Sequence, residues 1–510
     1  ITIFNSTIAY QGAEESSPLY GKIECHTFYR TINNNTQKNI VKPIIIIDGF
    51  DPGDTRKVKD CDCANDPYCA SLDKYKDDNE NFNPLLHISI EDMMTFYGIN
   101  INGQPFKYNL ITTLRDLGYD VIIINNPSYN KSNVAGQNMS VDGGADYIQR
   151  NAMNLCSYIQ YLNNKLISNG SNEKLVIVGP SMGGQISRYA LAYMDKKYAE
   201  TNNAIWKHNT RLWISVDSPH LGANIPISMQ ANVYCLGYIS GDQDAIDKYN
   251  TLLNATAARQ QLLTQYNHYE TDSNFHSLFT SYYNDLNSNG VPGSNGYPLS
   301  SPTFRKIALV NGSLDGLNTN DESETSFAYE KQTYMDIRGY IDLSFLFFKW
   351  STTTFRNINR FLPNTGGYAE IFKYTQFYNP TTNNADNHYY FSVTNINPRG
   401  NIDIMPGGMF NTQEELQNSI FKGLSKKKQR SEAGELFPFH CFIPTFSALG
   451  HLQPDQNWAN TLNYNLTCPS NRLTPFDSYY GERFNTKHTS FTQDSVDWLL
   501  KELAGNPQAP

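Results

Sequence analysis

Short runs of apolar residues alternate along the chain with segments of helical periodicity. Each run is rich in β-branched residues and is bounded by turn-forming residues such as Gly, Asn, Asp or Pro. A continuous apolar run is typical of a strand buried on both faces, as in a parallel sheet covered by crossover helices. The pattern therefore predicts an α/β fold around a mostly parallel central sheet. The five predicted strands are residues 44–47, 121–124, 175–178, 212–216 and 307–310.

Apolar residues spaced three and four apart predict a helix between the second and third strands. Its inward side chains are Ile148, Ala152, Leu155, Ile159, Leu162 and Leu166. Partial alternation over residues 22–32 predicts antiparallel strands at the sheet edge. Residues 255–266 have the pattern of a helix, and Val496, Leu499 and Leu503 mark the inward face of a final helix.

The alternation of strands and helices is interrupted twice, which predicts two insertions in one sheet-centred core. The first is rich in Gln, Tyr and Leu and suits a cap over the active edge of the sheet; the second carries aromatic, strand-like segments. We predict the first part of the core at 1–222, a cap at 223–304, a core strand and turn at 305–316, an accessory β-rich insertion at 317–437, the C-terminal part of the core at 438–504 and a linker-like tail at 505–510.

The overall composition excludes several classes of protein. The chain has 40 Lys and Arg against 49 Asp and Glu, a net charge of −9, which argues against a nucleic-acid partner. Hydrophobic residues make up 39% and aromatic residues 13%, enough for a large core and too much for a disordered chain. No apolar stretch approaches the roughly 18 residues of a membrane span. We therefore expect a soluble globular protein.

Cysteine usage suggests export from the cytoplasm. Cys61, Cys63 and Cys69 cluster in a loop too polar to bury them, which favours local disulfides. The chain begins at Ile1 without an initiator Met, as a processed secreted protein would. The same loop could hold a calcium ion, although a solvated acidic loop is the alternative because the spacing fits no EF-hand. The candidate oxygen ligands are Asp60, Asp62, Asn65 and Asp66.

A turn between a strand and a helix carries the candidate nucleophile. The predicted strand 175–178 continues into Gly-Pro-Ser-Met-Gly-Gly at 179–184, and a helical pattern follows. This is the strand, G-x-S-x-G, helix arrangement, in which glycines permit a reversal sharp enough to lift the serine out of the sheet. A plain strand-to-helix turn is the alternative. The context favours Ser181 as a nucleophile.

With these motifs the chain resembles the α/β-hydrolase family, in its lipase and esterase branch, over most of its length outside the insertions. The sequence Ile-Ile-Ile-Ile-Asp-Gly-Phe at 44–50 looks like the family's strand ending in His-Gly-Phe, with Asp48 in place of the histidine. Residues 110–121 also look like the helix and strand that follow. The resemblance implies an oxyanion hole made by the backbone N–H groups of Phe50 and Met182. It also implies a secreted bacterial enzyme without a cofactor.

A serine hydroxyl attacks poorly unless a base removes its proton, and the candidates for this base are histidines. His488 lies in a polar loop just before the final helix, which resembles the position of the catalytic histidine in the family. His220 lies in Asp-Ser-Pro-His-Leu-Gly at 217–222, which matches a lipase-like Ser-Pro-His-x-Gly loop. The resemblance implies a structural or substrate-lining role for His220. We therefore assign His488 as the base.

Three aspartates are candidates for the acid of a Ser-His-Asp triad. Asp315 is the preferred one, because it follows the fifth strand in a turn that resembles Gly-x-x-Asp-Gly. Asp217 ends the preceding strand, and Asp477 lies shortly before the candidate base. All three satisfy the chain order Ser, Asp, His, so the order does not choose among them.

The predicted function is hydrolysis of carboxylic esters through an acyl-enzyme. The aromatic insertions suit a lipid-like, aromatic acyl or polymeric ester, although ordinary packing of a tyrosine-rich protein explains them equally well. An acyltransferase with the same triad is one alternative. A non-catalytic binding protein on a hydrolase scaffold is another, because Asp48 departs from the family pattern. The sequence does not determine the oligomeric state.

Overall fold

A computed structural model gives the coordinates of the chain, and all structural statements concern the residues it describes. These are residues 1–33, 35–56, 89–99, 105–239, 242–266, 277–317, 333–345, 348–361, 368–376, 387–394, 402–411, 429–435, 439–452, 466–467 and 473–505.

An eight-stranded sheet forms the centre of the protein and contains all five predicted strands. Leu19–Phe28 is antiparallel to both of its neighbours, and every other neighbouring pair is parallel. The predicted α/β fold with a mostly parallel sheet is therefore confirmed. In spatial order the strands are Thr2–Tyr10, Leu19–Phe28, Asp120–Asn125, Pro43–Ile47, Leu175–Pro180, Thr210–Val216, Arg305–Val310 and Ser478–Gly481.

The continuous apolar runs are explained by burial on both faces of the sheet. On one face, side chains such as Ile45 and Ile177 pack under the helices Ile148–Ser168 and Met182–Thr201. On the other face, the alternate residues pack with the helices Leu110–Asp116 and Gln493–Leu503. Full burial of one such side chain contributes about 1.5–3 kcal/mol, so apolar residues are favoured in the strand interiors.

The helix predicted at 255–266 is shorter in the structure. It spans Thr256–Gln261, and the chain then becomes extended, because Ala223 pairs with Leu262 in a β-bridge. The N–H of Leu263 donates to the carbonyl oxygen of Ala223 at 2.9 Å. A contact with a residue distant in sequence thus ends the helix where the local pattern would continue it.

Helical segments follow the strand Thr210–Val216 within the stretch 223–304. Two of them are π-helical, Cys235–Ile239 and Tyr249–Leu253. The apolar cluster that includes Met229, Val233 and Leu236 packs this region against the second inserted region. The α-helices of the stretch are Ile227–Tyr234, Gln243–Lys248, Thr256–Gln261 and Ser277–Ser288.

A separate five-stranded antiparallel sheet occupies most of the described residues between 333 and 435. Its two longest strands form a hairpin, and the aromatic segments predicted as strands lie in two others. In spatial order its strands are Asn387–Thr394, Tyr368–Gln376, Phe348–Arg360, Thr333–Phe345 and Gln429–Glu435.

Short elements complete the described part of the chain. The two-stranded pairs are Thr31–Ile32 with Asn35–Thr36, Thr95–Ile99 with Pro105–Asn109, Ser128–Ser132 with Asn138–Asp142, and Gly407–Phe410 with His440–Pro444. The short helices are Ile90–Met93, Gly143–Ala145, Ala204–Trp206 and Thr445–Ala448.

The predicted disulfides and calcium site lie outside the described residues. Cys61, Cys63 and Cys69 and their acidic neighbours all belong to that part of the chain, so disulfide formation, calcium binding and export stay predictions. Within the described ranges, no group of three or more His, Cys, Asp or Glu side chains could hold a metal ion, and no helix has the length and hydropathy needed to cross a bilayer. The described cysteines are buried free thiols: Cys25, Cys156, Cys235 and Cys441.

Candidate active site

Ser181 lies at a sharp turn between the strand and helix predicted for it. Its backbone has φ 52° and ψ −128°, a conformation that costs about 1–3 kcal/mol for a residue with a side chain. A Cβ on Gly179 would lie 2.5 Å from the carbonyl oxygen of Gly183, and a Cβ on Gly183 would lie 2.6 Å from that of Ile47. The flanking glycines are therefore required by close backbone contacts, and Ser181 is held at the start of the helix Met182–Thr201.

His488 lies against Ser181, as the sequence predicts. Its Nε2 atom is 2.9 Å from Ser181 Oγ, and its Nδ1 atom is 2.7 Å from Asp217 Oδ2. The ring packs edge-on against Phe442, and only 11% of the side chain is exposed. Because a carboxylate only accepts hydrogen bonds, Asp217 favours the tautomer with the proton on Nδ1. Nε2 is then free to accept the proton of Ser181.

Asp217 is the carboxylate that the structure brings to His488. It follows the strand Thr210–Val216 directly, and its side chain is fully buried. Asn311 donates its backbone N–H to Asp217 Oδ1 at 3.1 Å, so both carboxylate oxygens have partners. Val216 pairs with Pro180 across the two neighbouring parallel strands, which brings Asp217 beside Ser181 at the carboxyl edge of the sheet.

The structure does not bring Asp315, the preferred acid, to His488. Asp315 lies beyond the end of the strand Arg305–Val310, one strand further from Ser181. Its carboxylate instead lies 3.6 Å from Nε of Arg483 and is about one-third exposed. The turn motif was therefore misleading, because a residue at the end of the nearer strand reaches the imidazole first.

The third candidate, Asp477, lies at the amino edge of the parallel strands, opposite the carboxyl edge that carries Ser181. It precedes the strand Ser478–Gly481, which runs parallel to Arg305–Val310. Its carboxylate accepts the N–H of Lys306 at 2.7 Å and the hydroxyl of Ser300 at 2.9 Å. The unpredicted strand places Asp477 at the amino edge, whereas His488, after the strand, is at the carboxyl edge.

His220 is a core residue and is not among the residues lining the cavity beside Ser181. Its side chain is fully buried, with Nε2 2.8 Å from Ser215 Oγ and its ring packed on Trp213 and Phe476. Burial, with a smaller contribution from Arg188, lowers the pKa of His220 well below its usual value. Of the two roles that the resemblance implies, the substrate-lining one is therefore replaced by the structural one.

Two backbone N–H groups are available beside Ser181. Met182 is the first residue of its helix, so its N–H has no acceptor within the helix. The N–H of Phe50 has no acceptor among the described residues. The loop that carries Phe50 lies close to the serine, since a Cβ on Gly49 would be 3.1 Å from Ser181 Cβ. These N–H groups are those predicted for the oxyanion hole.

A segment that the sequence assigns to the accessory insertion supports the His488 loop. The N–H of His488 donates to the carbonyl oxygen of Met409 at 2.9 Å, and the N–H of Met409 donates to Thr486 at 2.9 Å. A Cβ on Gly408 would lie 2.0 Å from Asp217 Oδ2. Sequence reasoning missed Gly408 and Met409, because contacts between segments far apart in the chain have no local sequence signal.

Ser181 and His488 line a largely apolar cavity of about 360 Å³. One wall comes from the loop after the strand Pro43–Ile47, and the other comes mainly from the helical segments after residue 223. The apolar lining residues are Ile47, Phe50, Pro52, Ile90, Met94, Pro180, Ile225, Met229, Val233, Leu252, Leu253, Phe410 and Phe442, and the charged ones are Asp48, Asp51, Arg56 and Lys248. This shape suits a ligand with an apolar group next to a reactive carbonyl.

Part of the chain matches a known family of sequences. Residues 127–282 match the family described as "Putative serine esterase (DUF676)". This segment includes Ser181 and Asp217 but neither Phe50 nor His488, and it covers less than a third of the chain. No curated protein sequence matches the chain.

Solved structures of a serine hydrolase and of two esterases are similar to parts of this protein at low sequence identity. A serine hydrolase without a lid from Xanthomonas campestris is 12% identical, with 42% of this chain and 62% of that one covered and a TM-score of 0.18. A carboxylesterase from Lactobacillus plantarum is 8% identical, with 61% and 71% covered and a TM-score of 0.23. The rice cell wall degrading esterase LipA from Xanthomonas oryzae, as a variant, is 11% identical, with 60% and 73% covered and a TM-score of 0.26. The chain spans less than two thirds of the first of these, and such TM-scores support no inference about activity.

Proposed function

We propose that this protein is a serine hydrolase that cleaves carboxylic esters. The observation that carries the proposal is the continuous contact from Ser181 through His488 to Asp217, with distances of 2.9 and 2.7 Å. A serine at a strained turn, an imidazole with one free ring nitrogen and a buried carboxylate form the arrangement that activates a hydroxyl. The match of residues 127–282 to a serine esterase family supports the same activity.

Acylation begins when His488 Nε2 removes the proton of Ser181 and Oγ attacks the ester carbonyl carbon. The carbonyl oxygen becomes an oxyanion, which the N–H groups of Phe50 and Met182 stabilise. One such donor typically contributes about 3 kcal/mol to the transition state. When the tetrahedral intermediate collapses, the bond to the alkoxy oxygen breaks, and His488 gives its proton to the departing alcohol.

Deacylation repeats these steps with water as the nucleophile. His488 removes a proton from water, the hydroxide attacks the acyl-enzyme, and the acid leaves as Ser181 recovers its proton. Throughout, Asp217 keeps the imidazole oriented and stabilises its charged form. No step needs a metal or an organic cofactor, so none is assigned to the reaction.

The cavity beside Ser181 supports a proposal for the substrate class. Its walls are mainly aliphatic and aromatic, with Met229, Val233 and Phe442 among the lining side chains. An aliphatic acyl group gains about 0.8 kcal/mol for each buried methylene. We therefore propose lipid-like esters with an apolar acyl group as the substrates, and short polar esters as poor ones.

Labelling and mutation of Ser181 test this function. A fluorophosphonate should modify Ser181 in the folded protein, as located by peptide mass spectrometry, and Ser181→Ala should lose label and about 10⁴-fold or more of its p-nitrophenyl ester hydrolysis. Ser288→Ala, at an exposed serine, is the control and should keep both. Near-normal turnover by Ser181→Ala, or labelling of another serine only, would contradict the proposal.

A further inference from the structure

The loop that carries Phe50 contains an arginine, Arg56, that contacts the Phe50 backbone and also lines the cavity. Arg56 Nη2 donates to the carbonyl oxygen of Phe50 at 2.6 Å, and Arg56 Nε lies 3.1 Å from the carboxylate of Asp48. The Asp48 side chain is 2% exposed and that of Arg56 is 21% exposed. The guanidinium is planar and has several donors, so one group reaches both partners at once.

These contacts hold the peptide groups on both sides of the Phe50 N–H. On the preceding side, Gly49 donates its N–H to Asp48 Oδ1 at 2.8 Å. On the following side, Arg56 holds the Phe50 carbonyl, and the N–H of Asp51 donates to Gly144 at 3.1 Å. Because each peptide group is planar, anchoring its two neighbours leaves the group with the Phe50 N–H little freedom to rotate.

The loop is closed on itself around the same arginine. The backbone N–H of Arg56 donates to Asp51 Oδ2 at 2.9 Å, and the hydroxyl of Thr55 donates to the other oxygen of Asp51. Asp48 and Asp51 are therefore both bound to the segment that ends at Arg56. The loop thus has a defined shape beside Ser181.

Stability alone is a weak reason to bury such an ion pair. Moving an aspartate and an arginine out of water costs several kcal/mol for each ion, which their attraction often only offsets. Burial raises the pKa of Asp48 to about 6 although Arg56 opposes the shift, which is the signature of that cost. A role in geometry accounts better for a charged pair kept next to the nucleophile.

We propose that Arg56, anchored by Asp48, is the positioning residue of the oxyanion site. It holds the Phe50 backbone so that its N–H faces the oxygen that develops charge when Ser181 attacks. This inference rests on the proposed ester hydrolysis. Arg56 acts through Phe50: among the described residues its hydrogen bonds are with Asp48, Phe50 and Asp51, and none is with Ser181 or His488.

Two variants at this position separate positioning from simple charge. Arg56→Lys keeps a positive charge. Its single ammonium group lacks the forked donors of the guanidinium and cannot bind both Asp48 and the Phe50 carbonyl. Arg56→Ala removes the group and leaves space for a guanidinium ion. In both, kcat for an activated ester should fall about 100-fold, the loss expected for one oxyanion donor, while KM changes far less. Millimolar guanidinium should restore much of the lost kcat in Arg56→Ala.

Arg30 provides the matched control. It forms a similar buried ion pair with Asp120 at 2.9 Å. Asp120 begins the strand Asp120–Asn125, so this pair lies at the amino edge of the parallel strands, whereas Ser181 lies at their carboxyl edge. Arg30→Ala should lose stability but keep the wild-type kcat per folded molecule, and guanidinium should not raise that kcat. Thermal melting of each variant gives the folded fraction.

The outcomes distinguish this inference from the proposed function. Reduced kcat with little change in KM, and a guanidinium gain confined to Arg56→Ala, would support the positioning role. A wild-type kcat in both Arg56 variants, or equal guanidinium gains in Arg56→Ala and Arg30→Ala, would overturn it while leaving the esterase proposal intact. A wild-type protein without ester hydrolysis or Ser181 labelling would overturn both.

Discussion

Asp217 and His488 are 271 residues apart in the chain, yet Asp217 Oδ2 lies 2.7 Å from His488 Nδ1. The aspartate is buried at the end of a strand, whereas the histidine lies in a loop near the C-terminus. The contact orients the imidazole so that its other nitrogen faces Ser181. It selects one acid among three candidates that chain order leaves equal.

Asparagine at position 217 should abolish most of the activity. Asn has nearly the same shape, but its amide can donate to Nδ1 and so favour the wrong tautomer. We expect kcat to fall about 10⁴-fold in Asp217→Asn, as for the corresponding change in serine proteases. Initial rates on a p-nitrophenyl ester measure it.

Asp315→Asn and Asp477→Asn are the controls for this assignment. Neither carboxylate contacts His488, so both variants should keep kcat within about twofold, the effect of surface changes being small. A large loss of kcat in Asp315→Asn together with a mild effect of Asp217→Asn would reverse the assignment.

A methyl group at position 408 should disrupt the site from the side of the accessory segment. The added Cβ would lie 2.0 Å from Asp217 Oδ2, so either the carboxylate or the segment must move. Because a displacement near 1 Å in such a site can cost about 100-fold, we expect kcat to fall at least that much in Gly408→Ala. Gly118→Ala is the control: its Cβ meets nothing within 4 Å, and φ is +85°, so it should lower the melting temperature without lowering kcat. Normal kcat in Gly408→Ala would show that the contact is unimportant.

Acyl-chain preference should follow the size of the cavity. In the wild-type protein, kcat/KM should rise up to about fourfold for each added methylene until the cavity is filled. Val233 lines the cavity, and Val233→Trp should end this rise at shorter chains while leaving acetyl ester hydrolysis nearly unchanged. A homologous series of p-nitrophenyl esters measures both. Identical chain-length profiles would place the acyl group elsewhere.

His220 should contribute to stability rather than to catalysis, with a defined pH dependence. Its pKa in the folded protein is well below 6.5, so below about pH 6.5 the unfolded chain binds a proton that the folded chain excludes. The free energy of unfolding then falls with decreasing pH by up to about 1.4 kcal/mol per unit from this group. Urea unfolding of His220→Gln should lack that component, and kcat per folded molecule should be unchanged. A kcat loss without destabilisation would contradict the structural role.

Asp48 should affect the acid side of the activity profile. Arg56 and Asp51 are the charged groups that face it; burial raises its pKa to about 6, so it is charged above that pH and neutral below it. Loss of the charge weakens the hold on Arg56. In the wild type, log kcat should therefore fall more steeply with decreasing pH below pH 6 than in Asp48→Asn, which lacks this titrating carboxyl group. Equal slopes would exclude a contribution from Asp48.

The core of the fold could be predicted because burial on both faces of a parallel sheet leaves a local record. Five apolar runs, the helix Ile148–Ser168 and the final helix were all recognisable from residues close together in sequence. Two strands of the sheet were not predicted from the sequence. The edge strand Thr2–Tyr10 is mostly solvent-accessible, and Ser478–Gly481 has only four residues. A strand that makes few core contacts is under little pressure to be apolar.

Ser181 and His488 were predictable as partners because each has a local sequence context. The serine needs glycines at fixed offsets, and the histidine precedes a helix with a clear apolar face. The choice of Asp217, the burial of His220 and the support from Met409 depended on strand order and on contacts between distant segments. The short final strand decided the place of Asp477.

The sequence by itself determined the parallel sheet, the serine at its strand-to-helix turn and the residue types of the site, because periodicity and turn geometry act over a few residues. Only the tertiary structure decided which carboxylate meets His488 and which side chains enclose the cavity. These depend on distances between segments tens to hundreds of residues apart. Such distances are set by packing of the whole chain and leave no pattern in any one segment.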